Sequence, residues 1–222
     1  MTKSKPLDLS HHFSRMAKRR TVSSVSNVIA AYPTATLNAG PGFPYAANFP
    51  VDTLEGAIAK LNRFPLHPLA PISLPDENLS TRFTVPKVSL DENPDTNIDL
   101  KDALQYQSST GIPPLAIFLQ DWAVNWQNQG RIPYEDPQTL LTGGAADALA
   151  KCMLTFADEG DAILMDSEVY FSARDSVLPF GVKVVPAKLD EHGIDPKSLR
   201  KLLDHWDEKK DGKKPHLLYT VS

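Results

Sequence analysis

From residue 138 onward the sequence alternates between short apolar runs and helix-forming stretches, and few folds accommodate that order. "QTLLT" reads as a strand, then "GGAADALAKCMLTFADEG" as a helix with glycine at each end. "DAILMD" is a second strand, "EVYFSARDSVLPFG" a helix closing in a turn, and "VKVVPAKLD" a third strand. "DPKSLRKLLDHWDEKK" follows as a helix with Asp195 at its N-cap and Pro196 in its first turn, and "HLLYTVS" is a fourth strand. Strand–helix alternation with short connections predicts an α/β fold, a mostly parallel sheet with helices on both faces. Runs such as "AILM" suit strands buried on both sides. Because the fourth strand closes the sequence without a covering helix, the fold is expected to be incomplete at its C-terminal end.

The preceding residues are organised differently. Residues 1 to about 35 are polar and Ser-rich, with Phe13, Met16, Val22, Val25, Val28 and Ile29 at spacings that suggest one or two surface helices. From Pro33 to Pro94 the chain is Pro-dense, with a helix expected at "DTLEGAIAKLNRF" behind an Asp52 N-cap. "LPDENLS" and "LDENPDTN" read as surface loops. "PPLAIFLQDWAVNWQNQG" puts Leu115, Phe118, Leu119, Trp122 and Trp126 at helical spacing, closed by Gly130. A composition-based division is therefore residues 1–99 and 100–222.

Of the 222 residues, 23 are basic and 27 acidic; the net charge of -4 gives no reason to expect nucleic acid or an anionic membrane as partner. "MAKRR" and "KKDGKK" are short and mixed, the pattern of solvated faces. The single Cys152 rules out an internal disulfide framework, fits a reducing compartment and is expected to be packed within its helix. No apolar run reaches the ~18 residues of a membrane span. No secretory signal opens the chain, so a cytoplasmic location is expected.

In open α/β sheets ligands bind beyond the carboxyl ends of the strands. At the first such end Gly143 and Gly144 open a helix, where free N–H groups could receive a phosphate or simply form a tight turn. At the second, Tyr170 is an aromatic group able to cover a planar ligand or to pack at the rim. "TGGAADA" lacks the G-x-G-x-x-G of dinucleotide sites, although Asp166 ends the strand before Tyr170. His11–His12 read as surface residues, and His67, His192, His205 and His216 show no metal-ligand spacing.

Five segments, taken in order, carry a resemblance: "AGPGFPYAANFP", "LQYQSSTGIPPL", "LLTGGAADALAK", "DSEVYFSARDSVLPFGVKVVPAKLDEHGIDPKSL" and "PHLLYTVS". In them the chain resembles pyridoxal-phosphate (PLP) dependent aminotransferases of fold type I, of the aromatic and kynurenine/α-aminoadipate subgroup. The resemblance implies a phosphate cradle at Gly144, Ala145 and Ala146, and a ring-stacking role for Tyr170. It implies that Tyr106 reaches the phosphate of the partner's cofactor in a homodimer. Gly42 and Phe43 match the loop over the substrate's carboxylate side. Amino acids and 2-oxo acids are the implied substrates.

Departures from the family pattern also follow. Ala145 and Ala146 stand where relatives often carry a hydroxyl or amide, leaving only backbone donors; each lost hydrogen bond is worth about 0.5–1.5 kcal/mol. Asp147 adds an acid to the first helical turn, favourable to the helix but unfavourable beside a phosphate. Ser26 lies near where some relatives have a substrate-side arginine. The family's asparagine turn, its pyridine-nitrogen aspartate, the lysine that carries the cofactor and the substrate-carboxylate arginine have no counterpart in this sequence. No catalytic residue is therefore assigned, and the isolated chain is expected to be inactive in transamination. The alternatives are a non-catalytic paralogue acting only through dimerisation and a small nucleotide-binding domain.

Overall fold

A computed structural model describes residues 4–24, 31, 42–63, 77–89 and 98–221. Composition changes near residue 100, whereas packing divides the chain into Met1–Ser4 with Val28–Leu141, and Lys5–Asn27 with Thr142–Ser222. Ser26, His67 and the loop 90–97 lie outside the described residues.

In the first unit, β1 (Thr53–Ala59) pairs antiparallel with β2 (Ser80–Pro86), in the register Thr53↔Pro86 to Ala59↔Ser80. This corrects the helix expected over "DTLEGAIAKLNRF". The apolar positions Leu54, Ala57 and Ile58 carry helical spacing, but the long-range pairing with β2 overrides that local signal. Asp52 caps nothing; its carboxylate pairs with Lys87 Nζ at 2.6 Å, and its carbonyl accepts from Lys87 N at 2.7 Å. Opposite Phe83, only glycine fits at position 56: a Cβ there would lie 2.6 Å from the ring.

The arm Gly42–Pro50 contains a 3-10 turn at Ala46–Asn48. Its carbonyls are held from outside, Pro44 O by Gln105 Nε2 at 2.9 Å and Phe49 O by Lys87 Nζ at 2.8 Å. A short helix, α2 (Leu100–Ala103), lies beside the arm, whereas α1 (Arg15–Lys18) belongs to the second unit. In α3 (Pro113–Asp121), which continues as a π-helical turn to Gln127, Phe118 and Trp126 stay largely exposed. Of the expected apolar stripe Leu119 is part-buried, while Leu115, Phe118, Trp122 and Trp126 are exposed.

Gln138–Thr142, expected as the first strand, belongs to none. Pro137 cannot donate, Leu140 is exposed, and a single ladder-like bond joins Leu141 N to Thr110 O at 3.0 Å. The extended segment has no neighbouring strand among the described residues.

The second unit is built on β3 (Ala162–Asp166), whose five residues are all buried. It is flanked by β4 (Lys183–Ala187) and by β7 (Leu217–Tyr219), both parallel to it. Between β4 and β7 in the chain lie the two-residue pair β5 (Leu189–Asp190) and β6 (Gly193–Ile194). Pro186 sits in β4, an edge strand among the described residues, where a residue without an N–H is tolerated. The helices are α4 (Ala145–Phe156), α5 (Phe171–Val177), α6 (Pro196–Asp204) and α7 (Glu208–Asp211). As the sequence predicts, Asp195 caps α6, accepting from Lys197 N at 2.9 Å and Ser198 Oγ at 2.7 Å.

Met153 of α4, Ile163 and Met165 of β3, Ala173 and Val177 of α5, and Val182 form one buried cluster. Cys152, expected to be packed, is exposed. The buried stripe of α4 runs through Leu149, Met153 and Ala157, and Cys152 falls at its flank.

The last carbonyls of α4 lack intrahelical partners, and three of them are taken up from outside the helix. Ser14 Oγ donates to Leu154 O at 2.7 Å, Ser14 N to Thr155 O at 2.8 Å, and His216 Nε2 to Phe156 O at 2.8 Å. Ser14 is also the N-cap of α1, accepting from Ala17 N at 3.0 Å. The N-terminal segment is thus docked on the helix end by Ser14, with Arg15 paired to Asp158.

Beside this junction His12 stacks on His216 at 4.5 Å and 14°, with His11 at 3.9 Å from His12. His12 is therefore half-buried rather than a free surface residue, and its Nδ1 is buried without a partner among the described residues. Its pKa is lowered first by burial, then by His11, His216, Lys213 and Lys18. A lowered folded value means that the unfolded chain takes the proton first. The stabilising contribution is thus complete above roughly pH 6.5 and is lost as the pH falls below it. Thermal midpoints measured between about pH 7.5 and 5.5 should fall on acidification. The His12→Phe variant, which keeps a ring but no titration, should flatten that decline.

Candidate cofactor and substrate site

The expected site residues divide between the two units. In the first, Phe43 and Tyr106 are brought together, their rings 6.0 Å apart and tilted by 56°. Both are exposed, Tyr106 at 65%. Gln105 connects them: its amide donates to Pro44 O in the arm while its Oε1 accepts from Tyr106 N at 3.0 Å. Gln105 has no assigned role from sequence; the signal is an amide side chain beside the tyrosine in "LQYQ". Gly42 adopts φ +63, a left-handed conformation that glycine takes without strain. An open groove of about 570 Å³ also lies in this unit, along α3 and Gln138–Leu140, and none of the expected site residues lines it.

In the second unit Gly144 is the N-cap of α4 with φ +121 and ψ 177. A Cβ added there would meet nothing within 4 Å, so the space in front of the turn is open. The backbone N–H groups of Gly144, Ala145 and Ala146 find no acceptor among the described residues. The first bond of the helix is Ala148 N to Gly144 O at 3.0 Å. Three unspent donors therefore stand at the positive end of a twelve-residue helix, where the potential favours negative charge.

Asp147 sits in the first turn of α4 and reaches back. Its Oδ2 accepts from Gly143 N at 2.8 Å and its Oδ1 from Lys151 Nζ. These two bonds, that from Lys151 the larger, lower its pKa and keep it ionised.

Tyr170 follows β3 and precedes α5, whose first turn its carbonyl accepts through Ala173 N at 3.0 Å. The residue is 61% exposed and its ring leans on Phe171 at 4.9 Å. The turn carrying it is fixed by Ser167 N to Ala187 O at 2.8 Å and Val169 N to Asp166 O at 3.1 Å.

Asp166 itself is buried, and its Oδ2 accepts from Val221 N at 2.9 Å and Thr220 Oγ1 at 3.2 Å. The acidic strand end is thus committed to joining the exits of β3 and β7, and Oδ1 has no partner among the described residues. Its signal in the sequence is a carboxylate closing an otherwise apolar strand. Among the described residues no set of His, Cys, Asp and Glu is placed to hold a metal ion. No described helix is long and apolar enough to cross a membrane.

The profile of the family described as aminotransferase class I and II matches residues 76–221. The chain belongs to that family. Among the relatives of this aminotransferase chain is an L-tyrosine:2-oxoglutarate aminotransferase of Serpula lacrymans, 29% identical over 97% of this chain and 39% of its own length. A kynurenine/alpha-aminoadipate aminotransferase of Bos taurus is 35% identical over 55% of this chain and 31% of its own. The solved structure of aminotransferase Aro8 from Candida albicans superposes with a TM-score of 0.80 at 31% identity, covering 99% of this chain and 43% of that one. The chain thus spans about two fifths of the length of the Serpula and Candida relatives. Its α/β architecture is part of the fold type I aminotransferase body. The cofactor of the family is pyridoxal 5'-phosphate, and the open, donor-rich turn at Gly144–Ala146 fits its phosphate.

Proposed function

We propose that this chain forms the phosphate-and-ring end of the PLP site of an aminotransferase that moves an amino group from an aromatic or 2-aminoadipate-type amino acid to a 2-oxo acid. The observation that carries this reading is the set of unspent N–H donors at Gly144, Ala145 and Ala146, in the unit that also exposes the Tyr170 ring. The three N–H groups bind the phosphate and the helix end supplies positive potential. Tyr170 covers one face of the pyridine ring and excludes water from it. Bound there, the cofactor supplies an electron sink for the substrate's Cα carbanion. Residues 100–222 are the first part of the cofactor-binding large domain, preceded by the arm and irregular region of residues 1–99. Gly42 and Phe43 belong to the loop on the substrate's carboxylate side, and Tyr106 serves the partner's cofactor in a cytoplasmic homodimer.

Titration of the 222-residue chain with PLP, followed by protein fluorescence, tests the reading. Saturable binding is expected, weakened about fivefold in Tyr170→Ala through loss of the stacked face. Binding that survives Tyr170→Ala unchanged would falsify the placement of the ring.

A further inference from the structure

The mouth of the cradle already contains an anion. Asp147 is the one acidic residue in the first turn of α4, and its carboxylate takes the N–H of Gly143 directly before the three unspent donors. An acid at this helix position reaching back to a preceding N–H closes the turn as in a capping box, except that Gly144 has no side chain to return the bond. The same carboxylate has a second consequence, because it draws on the positive potential that an incoming phosphate would use. Lys151, one turn further along, holds its other oxygen. Both side chains are part-exposed, Asp147 by 39% and Lys151 by 47%, so a ligand at the turn meets the pair rather than a sealed core.

We infer that Asp147 and Lys151 form an internal ion pair that sets the cradle's affinity for the phosphate of its ligand, Asp147 opposing the dianion and Lys151 offsetting Asp147. The inference rests on the PLP reading above. The geometric and electrostatic roles of Asp147 are separable. An asparagine at 147 still accepts from Gly143 N–H, so the turn keeps its shape, while the charge is gone. The pair is expected to act through the phosphate: its side-chain bonds run to Gly143 and within the pair, and the Tyr170 ring leans on Phe171. The bonds from Lys151 and Gly143 hold the Asp147 carboxyl below its ordinary value, so it stays charged wherever the phosphate is a dianion.

The test compares PLP with pyridoxal, which lacks the phosphate, as probes of the wild-type chain, Asp147→Asn and Lys151→Met, at low and high ionic strength. Asp147→Asn should bind PLP roughly threefold more tightly at low salt, and Lys151→Met roughly threefold more weakly. Both differences should shrink in high salt. Pyridoxal affinity should be the same in all three proteins, which a general loosening of the turn would not allow. If the wild-type chain binds PLP but Asp147→Asn binds it no more tightly, or shifts pyridoxal equally, the inference falls and the PLP reading stands. If the wild-type chain binds neither probe, both fall together. Lys151→Met, altered at a half-exposed position, keeps the test decisive should Asp147→Asn fold poorly.

Discussion

Met165→Ala will lower the stability of the chain by about 3 kcal/mol, read as a shift of its chemical denaturation midpoint followed by far-ultraviolet circular dichroism. Met165 is wholly buried in β3, the strand paired on both edges among the described residues. It opposes Pro186 on one edge and Tyr219 on the other, and belongs to the cluster that joins β3 to α4 and α5. Truncation to alanine removes its apolar transfer energy and leaves a void that neither helix can fill without moving. Met165→Leu, nearly equal in volume, should cost less than about 1.5 kcal/mol. An alanine variant as stable as the leucine variant would show that the cluster collapses freely and is not the centre of this unit.

Gly111→Ala is expected to cost about 3 kcal/mol, because two independent penalties add. Gly111 has φ +112, outside the range any other residue adopts without strain. A Cβ there would stand 2.5 Å from Leu141 Cγ and 2.7 Å from Leu141 Cβ, so the obstruction reaches the root of that side chain. The neighbouring bond from Leu141 N to Thr110 O fixes the two segments against each other and blocks a lateral escape. The double variant Gly111→Ala with Leu141→Ala separates the penalties: it relieves the contact and leaves the backbone strain. Proteolysis near Gln107–Thr110 should quicken in the single variant. Equal melting of wild type and Gly111→Ala would contradict this packing.

How far the fold could be read in advance depended on where each element's partners lie in the sequence. β3, α4 and α6 were legible because their signals are local: a continuous apolar run, glycine at both helix ends, and Asp195 followed by proline. β1 carries helical spacing in its own residues, while its partner Phe83 lies across the strand pair, 27 residues away by the register Gly56↔Phe83, and nothing within "TLEGAIA" announces it. Gln138–Thr142 carried strand-like composition but no partner strand among the described residues, so composition alone misled. In the candidate site, Gly144 and Tyr170 could be nominated from their places after apolar runs. The use that Asp147 makes of Gly143 could not, since an acid in a first turn has the same sequence signature whether it reaches back or points to solvent. The pairing of Phe43 with Tyr106 depends on an arm fixed through Gln105 and Lys87, side chains whose reach composition does not encode.

The docking of Ser14 on the end of α4 also has a dimension in time. Its hydroxyl and its acceptor Leu154 O are 140 residues apart in the chain. During synthesis at roughly 5–20 residues per second, the N-terminal segment leaves the ribosome roughly 7–28 s before the helix it will close. For that interval Phe13 has no Phe156 ring to rest on, and the last carbonyls of α4, once made, wait only on a segment already present. The first-made part of this unit must wait for α4, and when α4 appears β4, α6 and β7 are still to be made. Folding slowed at that step would leave the segment around Ser14 accessible to chaperones and to modifying enzymes after α4 has been translated.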